Sequence, residues 1–129
     1  WLWIINDNEL RYELRDRTSN LKVLSNLISK KNNIKKVVIT KGEAGSILYD
    51  KKSKNYIECP ALINKVIDKV GAGDFMLSIM SLLINSKLED KASLFVGNLV
   101  GAMSISNMAN SEFIDKINLK KKIIYTLKW

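Results

Sequence analysis

The seven residues Asp68-Lys69-Val70-Gly71-Ala72-Gly73-Asp74 set two glycines one residue apart and place a carboxylate at either end. Glycines spaced by alanine let successive backbone amides turn toward one point, and amides gathered at the start of a helix bind anions. A carboxylate beside such a site suits phosphoryl transfer. The amides of Gly71, Ala72 and Gly73 would hold the charge of the moving phosphoryl group, and Asp74 would accept the proton of the attacking hydroxyl. The same residues have a plainer reading, in which the glycines shape a tight turn and Asp74 caps a helix. Two familiar phosphate loops are absent: there is no GxxxxGK followed by Ser or Thr, and the GxG lacks the third glycine of a dinucleotide fingerprint.

Composition narrows the chemistry further. The chain has no histidine and one cysteine, Cys59, so it can build neither a Ser-His-Asp nor a Cys-His site, nor a zinc site of imidazoles and thiolates. Asp, Glu, Lys, backbone amides and a hard cation remain. A lone cysteine forms no internal disulfide, which fits a reducing compartment. No apolar run approaches the roughly 20 residues that span a bilayer, and no signal peptide is visible at Trp1, so a cytoplasmic location without a membrane partner is expected. The net charge of +8 invites a nucleic-acid reading. Against it, only Arg11, Arg15 and Arg17 are arginines, and the lysines fall in short clusters at Lys30/Lys31, Lys51/Lys52 and Lys120 to Lys122. These read as solvated faces and helix ends, and no nucleic-acid partner is expected.

The elements that must position these residues follow from hydrophobic spacing. The chain has 129 residues, 47% apolar and 26% charged, with one proline and six glycines, a balance that excludes collagen-like and disordered classes. Trp1 to Ile5 reads as a strand, followed by a capped helix start at Asn6 to Glu9 and a helix over Leu10 to Asp16. Leu21, Leu24, Leu27 and Ile28 repeat at helical spacing. Val37 to Ile39 predicts a strand closed by the turn Thr40 to Gly45. Ile47 to Tyr49 and Tyr56 to Cys59 then flank a hairpin turn at Lys51 to Asn55. Beyond Pro60, Val66, Ile67 and Asp68 read as a short strand. Two mostly buried helices are predicted at Phe75 to Asn85 and Leu88 to Asn110, the second with Gly97 and Gly101 on a face open to close approach. An amphipathic segment, Phe113 to Leu127, ends the chain. Strands alternating with helices predict an α/β fold with a largely parallel sheet and a small antiparallel element at Ile47 to Cys59. No repeat or linker composition divides residues 1–129, so one domain is expected. An opening on a buried-type strand without Met reads as part of something longer.

Asp68-Lys69-Val70-Gly71-Ala72-Gly73-Asp74 resembles the carboxy-terminal signature of the PfkB, or ribokinase-like, carbohydrate kinases, usually D-T-x-G-A-G-D. Asn6-Asp7-Asn8-Glu9 is similar to that family's N-x-x-E motif, and Thr40-Lys41-Gly42-Glu43-Ala44-Gly45 to its T-x-G-x-x-G turn. Asn98, in Gly97-Asn98-Leu99-Val100-Gly101-Ala102, matches an asparagine carried on the helix beside the adenine. The four occur in the family's order. Val70 to Asp74 together with Gly97 to Gly101 is also similar to the kinases for heptose phosphates and their nucleotidyltransferase-linked relatives.

The resemblance implies a three-layer α/β/α ribokinase-like fold, of which residues 1–129 are the carboxy-terminal portion. It implies transfer of phosphate from ATP to a hydroxyl of a sugar or sugar phosphate, with Asp74 as base and Gly71, Ala72 and Gly73 as anion hole. It places Asn6 and Glu9 at Mg2+ and phosphates through water, Thr40, Gly42 and Gly45 along the nucleotide phosphates, and Asn98 at the base or ribose. Asp68 matches a position that ligates a monovalent cation such as K+ in some relatives. Lys69 departs from the family's small residue there, and Ile79 replaces a small residue on the following helix. The sugar pocket, an early glycine pair and a β-sheet lid that mediates homodimers in relatives belong to an amino-terminal half not present here. The isolated chain is therefore expected to be inactive alone. The competing expectation is a non-catalytic nucleotide-binding or regulatory module of the same fold.

Overall fold

The computed structural model of the protein describes residues 1–62, 72–108 and 114–128. The chain forms two compact units, Trp1–Ala61 and Leu62–Trp129.

In the first unit, β1 (Leu2–Asn6) leads through α1 (Asp7–Leu14) and α2 (Leu21–Lys31) into β2 (Lys36–Thr40), and β3 (Ser46–Asp50) and β4 (Asn55–Cys59) follow. The strands lie in the order β1-β2-β3-β4. β1 and β2 are parallel, with Asn6 opposite Thr40, as a helical crossover requires. β2, β3 and β4 are antiparallel in succession. Among the described residues the sheet is thus mixed, where sequence spacing suggested a largely parallel one. The turn after Thr40 is too short for a crossover, so β3 must run back along β2.

α1 and α2 cover one face. Leu10, Leu24 and Ile28 pack with Ile34, Val37 and Ile39, and Ile5, Leu14 and Leu21 join the margin. Each wholly buried aliphatic side chain contributes about 2 kcal/mol. Val38 and Leu48, which alternation turns to the other face, are also buried. Ser29 Oγ donates to the Ile34 carbonyl at 2.6 Å and closes the α2-to-β2 connection. The hairpin is fastened to α2 by two stacked phenols with ring centres 4.8 Å apart. Tyr49 Oη donates to Asn26 Oδ1 at 3.2 Å and Tyr56 Oη to the Lys22 carbonyl at 2.8 Å.

Between α1 and α2 the chain is held by Asp16, whose carboxylate accepts from the Ser19 hydroxyl at 2.6 Å and from the Ser19 and Thr18 amides at 2.9 and 3.0 Å. These donors favour the charged form, the Ser19 hydroxyl most, and lower the pKa from 3.8 to about 2. A pKa depressed on folding contributes stability above the unfolded value, and that contribution is lost as pH falls through the folded value. Asp16→Ala is therefore expected to lower Tm at pH 6, with the gap to the parent closing between about pH 4 and pH 2. Thermal unfolding across that range checks it, and a gap constant with pH would remove Asp16 as the cause.

The second unit holds α3 (Ala72–Asn85), α4 (Asp90–Met108) and α5 (Lys116–Leu127). α3 presses Met76 and Met80 onto α4, where a Cβ built at Gly97 would lie 2.6 Å from Met80 Cγ, so the glycine face predicted on α4 does admit close approach. Leu94, Leu99 and Val100 of α4 are buried. The expectation of a mostly buried helix fails for α3: Phe75, Leu77 and Leu82 are exposed, Leu82 by 67%. A single stripe meets α4, and the helical period carries the other apolar residues away from it. α5 begins at Lys116, capped by Asp115, which accepts from the Asn118 amide at 2.7 Å. Among the described residues no helix is long and apolar enough to cross a membrane. Val66, Ile67 and Phe113 lie outside the described residues.

Candidate functional site

Three of the five candidate residues of the first unit, Asn6, Glu9 and Thr40, lie at the carboxyl ends of its two parallel strands, the end at which open α/β sheets bind ligands. Asn6 ends β1 and Thr40 ends β2 directly opposite it. Glu9 sits one turn into α1. The Glu9 amide donates to Asn6 Oδ1 at 2.8 Å, and the Asn6 amide donates to Glu9 Oε2 at 3.3 Å. This reciprocal cap satisfies two amides that the helix start leaves orphaned. Asn and Glu three apart thus have a structural role here whatever else they bind. Both remain exposed.

After Thr40 the chain closes on itself. Lys41 N donates to the Gly45 carbonyl at 2.8 Å, and a 3-10 turn over Gly42–Ala44 is closed by Gly45 N donating to the Gly42 carbonyl at 3.1 Å. Gly42 is exposed at φ 58°, and Gly45 is buried at φ 85°. A Cβ at Gly45 would stand 2.1 Å from the Cys59 carbonyl oxygen and 2.8 Å from Ala61 N. Packing alone accounts for glycine at 45, while position 42 presents its backbone to solvent.

In the second unit the helix starts earlier than the apolar run suggested. α3 opens at Ala72, so Gly73 and Asp74 lie in its first turn rather than in a preceding loop. The first amides of a helix have no partner within it and carry the positive end of its dipole. Gly73 and Asp74 are exposed, and a Cβ added at Gly73 would meet nothing within 4 Å. Neither sterics nor a positive φ demands glycine at 73, although glycine costs a helix roughly 1 kcal/mol relative to alanine. A residue that sequence reasoning passed over, Ser78, donates its hydroxyl to the Asp74 carbonyl at 2.9 Å. A serine four positions after the aspartate was the available signal. Asn98 is half-buried on α4, and its Nδ2 donates to the Leu94 carbonyl at 2.9 Å. Asp68 and Gly71 lie outside the described residues.

Among the described residues no three His, Cys, Asp or Glu side chains gather into a metal cage. Mg2+ does not need one: it keeps several waters and takes one or two carboxylates along with phosphate oxygens. Exposed Glu9 and the Asn6 amide oxygen are hard donors of that kind.

Known proteins supply an independent comparison. The family model for pfkB family carbohydrate kinases matches residues 1–117. The bifunctional protein HldE of Campylobacter fetus is 32% identical over 87 residues, which is 66% of this chain and 18% of that protein. Among solved structures, phosphofructokinase-2 of Escherichia coli superposes with a TM-score of 0.78 at 21% identity, over 96% of this chain and 40% of that one. That enzyme has been solved with substrates and products and with potassium. Arabidopsis thaliana ribokinase, complexed with ribose and ATP, gives 0.75 at 18% identity over 94% of this chain and 40% of that one. The chain therefore spans less than half of these structures and under a fifth of the curated relative. The fold is ribokinase-like α/β, and by sequence the chain belongs to the pfkB family of carbohydrate kinases.

Proposed function

We propose that residues 1–129 are the carboxy-terminal portion of a kinase domain that moves the γ-phosphoryl group of ATP to a hydroxyl of a sugar or sugar phosphate. The observation that carries this reading is the start of α3, where the first amides of a helix, an exposed carboxylate and a glycine that packing does not require fall within one turn. On this reading Asp74 removes the proton of the attacking hydroxyl. The amides of Gly71, Ala72 and Gly73 meet the equatorial oxygens of the phosphoryl group as charge builds there. Thr40 and Gly42 line the nucleotide phosphates, and Gly45 holds their turn in shape. Asn98 reaches the base or ribose from α4, and Asp68 ligates K+ near the anion hole. Asn6 and Glu9 hold Mg2+ through water. When bound, the ion neutralises phosphate charge. A reducing cytoplasm suits a chain whose one cysteine, Cys59, is a buried free thiol.

The test is a calorimetric titration of the chain with Mg2+ and a non-hydrolysable ATP analogue, repeated on Gly73→Val. Valine is no worse than glycine in a helix and its Cβ has open space, so folding is expected to survive while the branched side chain screens the amides. Saturable binding weakened at least tenfold by the variant is expected, about 1.4 kcal/mol. Equal binding by both proteins would place the phosphates elsewhere, and no binding by folded parent would favour the regulatory module over a nucleotide site held by this chain alone.

A further inference from the structure

Lys35 and the pair Lys51/Lys52 stand well apart in the sequence, and the fold sets them at one end of the first unit. Lys36, which begins β2, lies opposite Asp50, which ends β3. One residue on, Lys51 N donates to the Lys35 carbonyl at 2.9 Å, and Lys51 Nζ donates to Asn33 Oδ1 at 2.9 Å. The connection from α2 to β2 and the hairpin turn are thereby tied into a single surface. The acids beside it are already engaged. Glu13 pairs with Lys31 at 2.8 Å. Asp50 accepts from the Lys52 amide at 3.1 Å and from the Ser53 hydroxyl at 2.9 Å, with Lys36 Nζ 3.9 Å away. Among the described residues Lys35, Lys51, Lys52 and Lys54 form no ion pair, and Lys35, Lys52 and Lys54 are exposed.

Ammonium groups without partners cost too much to bury inside a domain, so this end is built to meet water or an anion. We propose that it binds the phosphate backbone of a nucleic acid without regard to sequence. Lysines that neutralise phosphates release condensed counterions, the main source of such affinity. Asn33 and Asn55, exposed among the lysines, add neutral donors of the kind that phosphate oxygens accept from. No arginine stands among residues 30–36 or 50–55, so the contact is to the backbone and base edges go unread. The one apolar residue of these segments, Ile34, is buried, whereas a bilayer surface or a protein partner would call for exposed apolar anchors. Lys36 begins β2 and Thr40 ends it, so this surface and the candidate nucleotide site lie at opposite ends of the sheet and can be filled together. The inference does not rest on the phosphate chemistry of α3.

Fluorescence anisotropy of the full-length protein tests it, with a labelled single-stranded RNA of about 12 nucleotides. Four phosphate contacts predict a slope of log affinity against log salt of about −2.8, or about fifty-fold between about 50 and 200 mM salt. Lys35→Gln, Lys52→Gln and Lys54→Gly together are expected to lower affinity at least about tenfold and to flatten the slope to about −0.7. All three side chains are exposed, and Lys54 holds a φ of 57° that glycine adopts freely, so folding is expected to survive. Lys52→Glu alone, expected to cost about threefold, keeps the test open should the triple variant be unstable. Lys120→Gln, Lys121→Gln and Lys122→Gln together remove the same charge from α5 and are expected to change affinity less than about twofold. A saturating ATP analogue with Mg2+ should not compete. The proposal is overturned by absence of saturable binding, by equal losses in the two triple variants, or by no loss in the first. Competition by the ATP analogue overturns it as well, and so does binding to phosphatidylserine vesicles as tight as to RNA.

Discussion

With Asp74 as the proposed base, its replacement by Asn is expected to cut phosphoryl-transfer turnover of the full-length protein by about 10²- to 10⁴-fold, while Mg-nucleotide affinity stays within about threefold. The loss corresponds to about 3–5 kcal/mol of transition-state stabilisation. Asparagine keeps the size and hydrogen-bonding reach of the side chain, and Ser78 still anchors the Asp74 carbonyl through its backbone contact. What disappears is the proposed proton acceptor. The plainer role makes a different forecast: a carboxylate in the first turn of α3 favours the helix dipole by only about 0.3–1 kcal/mol, which would appear in unfolding and leave turnover nearly unchanged. Steady-state rates alongside a nucleotide titration separate the two, and near-parental turnover in Asp74→Asn would remove it from the chemistry.

A second large effect is expected in the fold. At Gly45 an alanine would bring its Cβ to 2.1 Å from the Cys59 carbonyl oxygen and 2.8 Å from both Ala61 N and the Pro60 carbonyl carbon. All three obstacles are backbone, so none can swing aside as a side chain would. The conformation at φ 85° and ψ −139° is itself one that side chains other than glycine reach only at about 1–3 kcal/mol. Strain and displaced backbone together are expected to cost Gly45→Ala about 3–5 kcal/mol, a large part of an ordinary domain's stability. Urea unfolding followed by tryptophan emission reads this directly, since Trp1 and Trp3 belong to the same unit. A loss under about 1 kcal/mol would contradict the geometry.

Much of the first unit was legible in its residues. Val37, Val38 and Ile39 announce a buried strand, and Asn6 announces a helix start and caps it as its type predicts, while the cap at Asn20 was not read from the sequence. The turn at Thr40 to Gly45 could be placed from its two glycines, both of which take a positive φ. Other features lay beyond any local pattern. Asn6 and Glu9 look the same in sequence whether they cap a helix or face a cation, and here the cap is made. α3 reads as buried from composition, but burial depends on what packs against each face, and among its described residues Met76 and Met80 are the fully buried ones. The start of that helix was misplaced by three residues because glycine reads as a breaker. The first turn makes few internal hydrogen bonds and tolerates it. Direction in the sheet followed from the length of one connection, which hydrophobic periodicity does not encode.

The mixed sheet also sets an order of assembly. β2, β3 and β4 join residues near in sequence, Thr40 with Ser46 and Asp50 with Asn55, whereas Leu2 must find Lys36 across two helices. Closing the longer loop costs more chain entropy, and non-local pairings form more slowly. The meander is therefore the early scaffold of this unit, and β1, though it precedes the other three strands in the chain, is the last of the four to be seated. The strand with the least protection against wrong partners, whose residues carry no charge, is thus exposed longest, and a nascent chain of this protein would depend on chaperones most while that one strand waits.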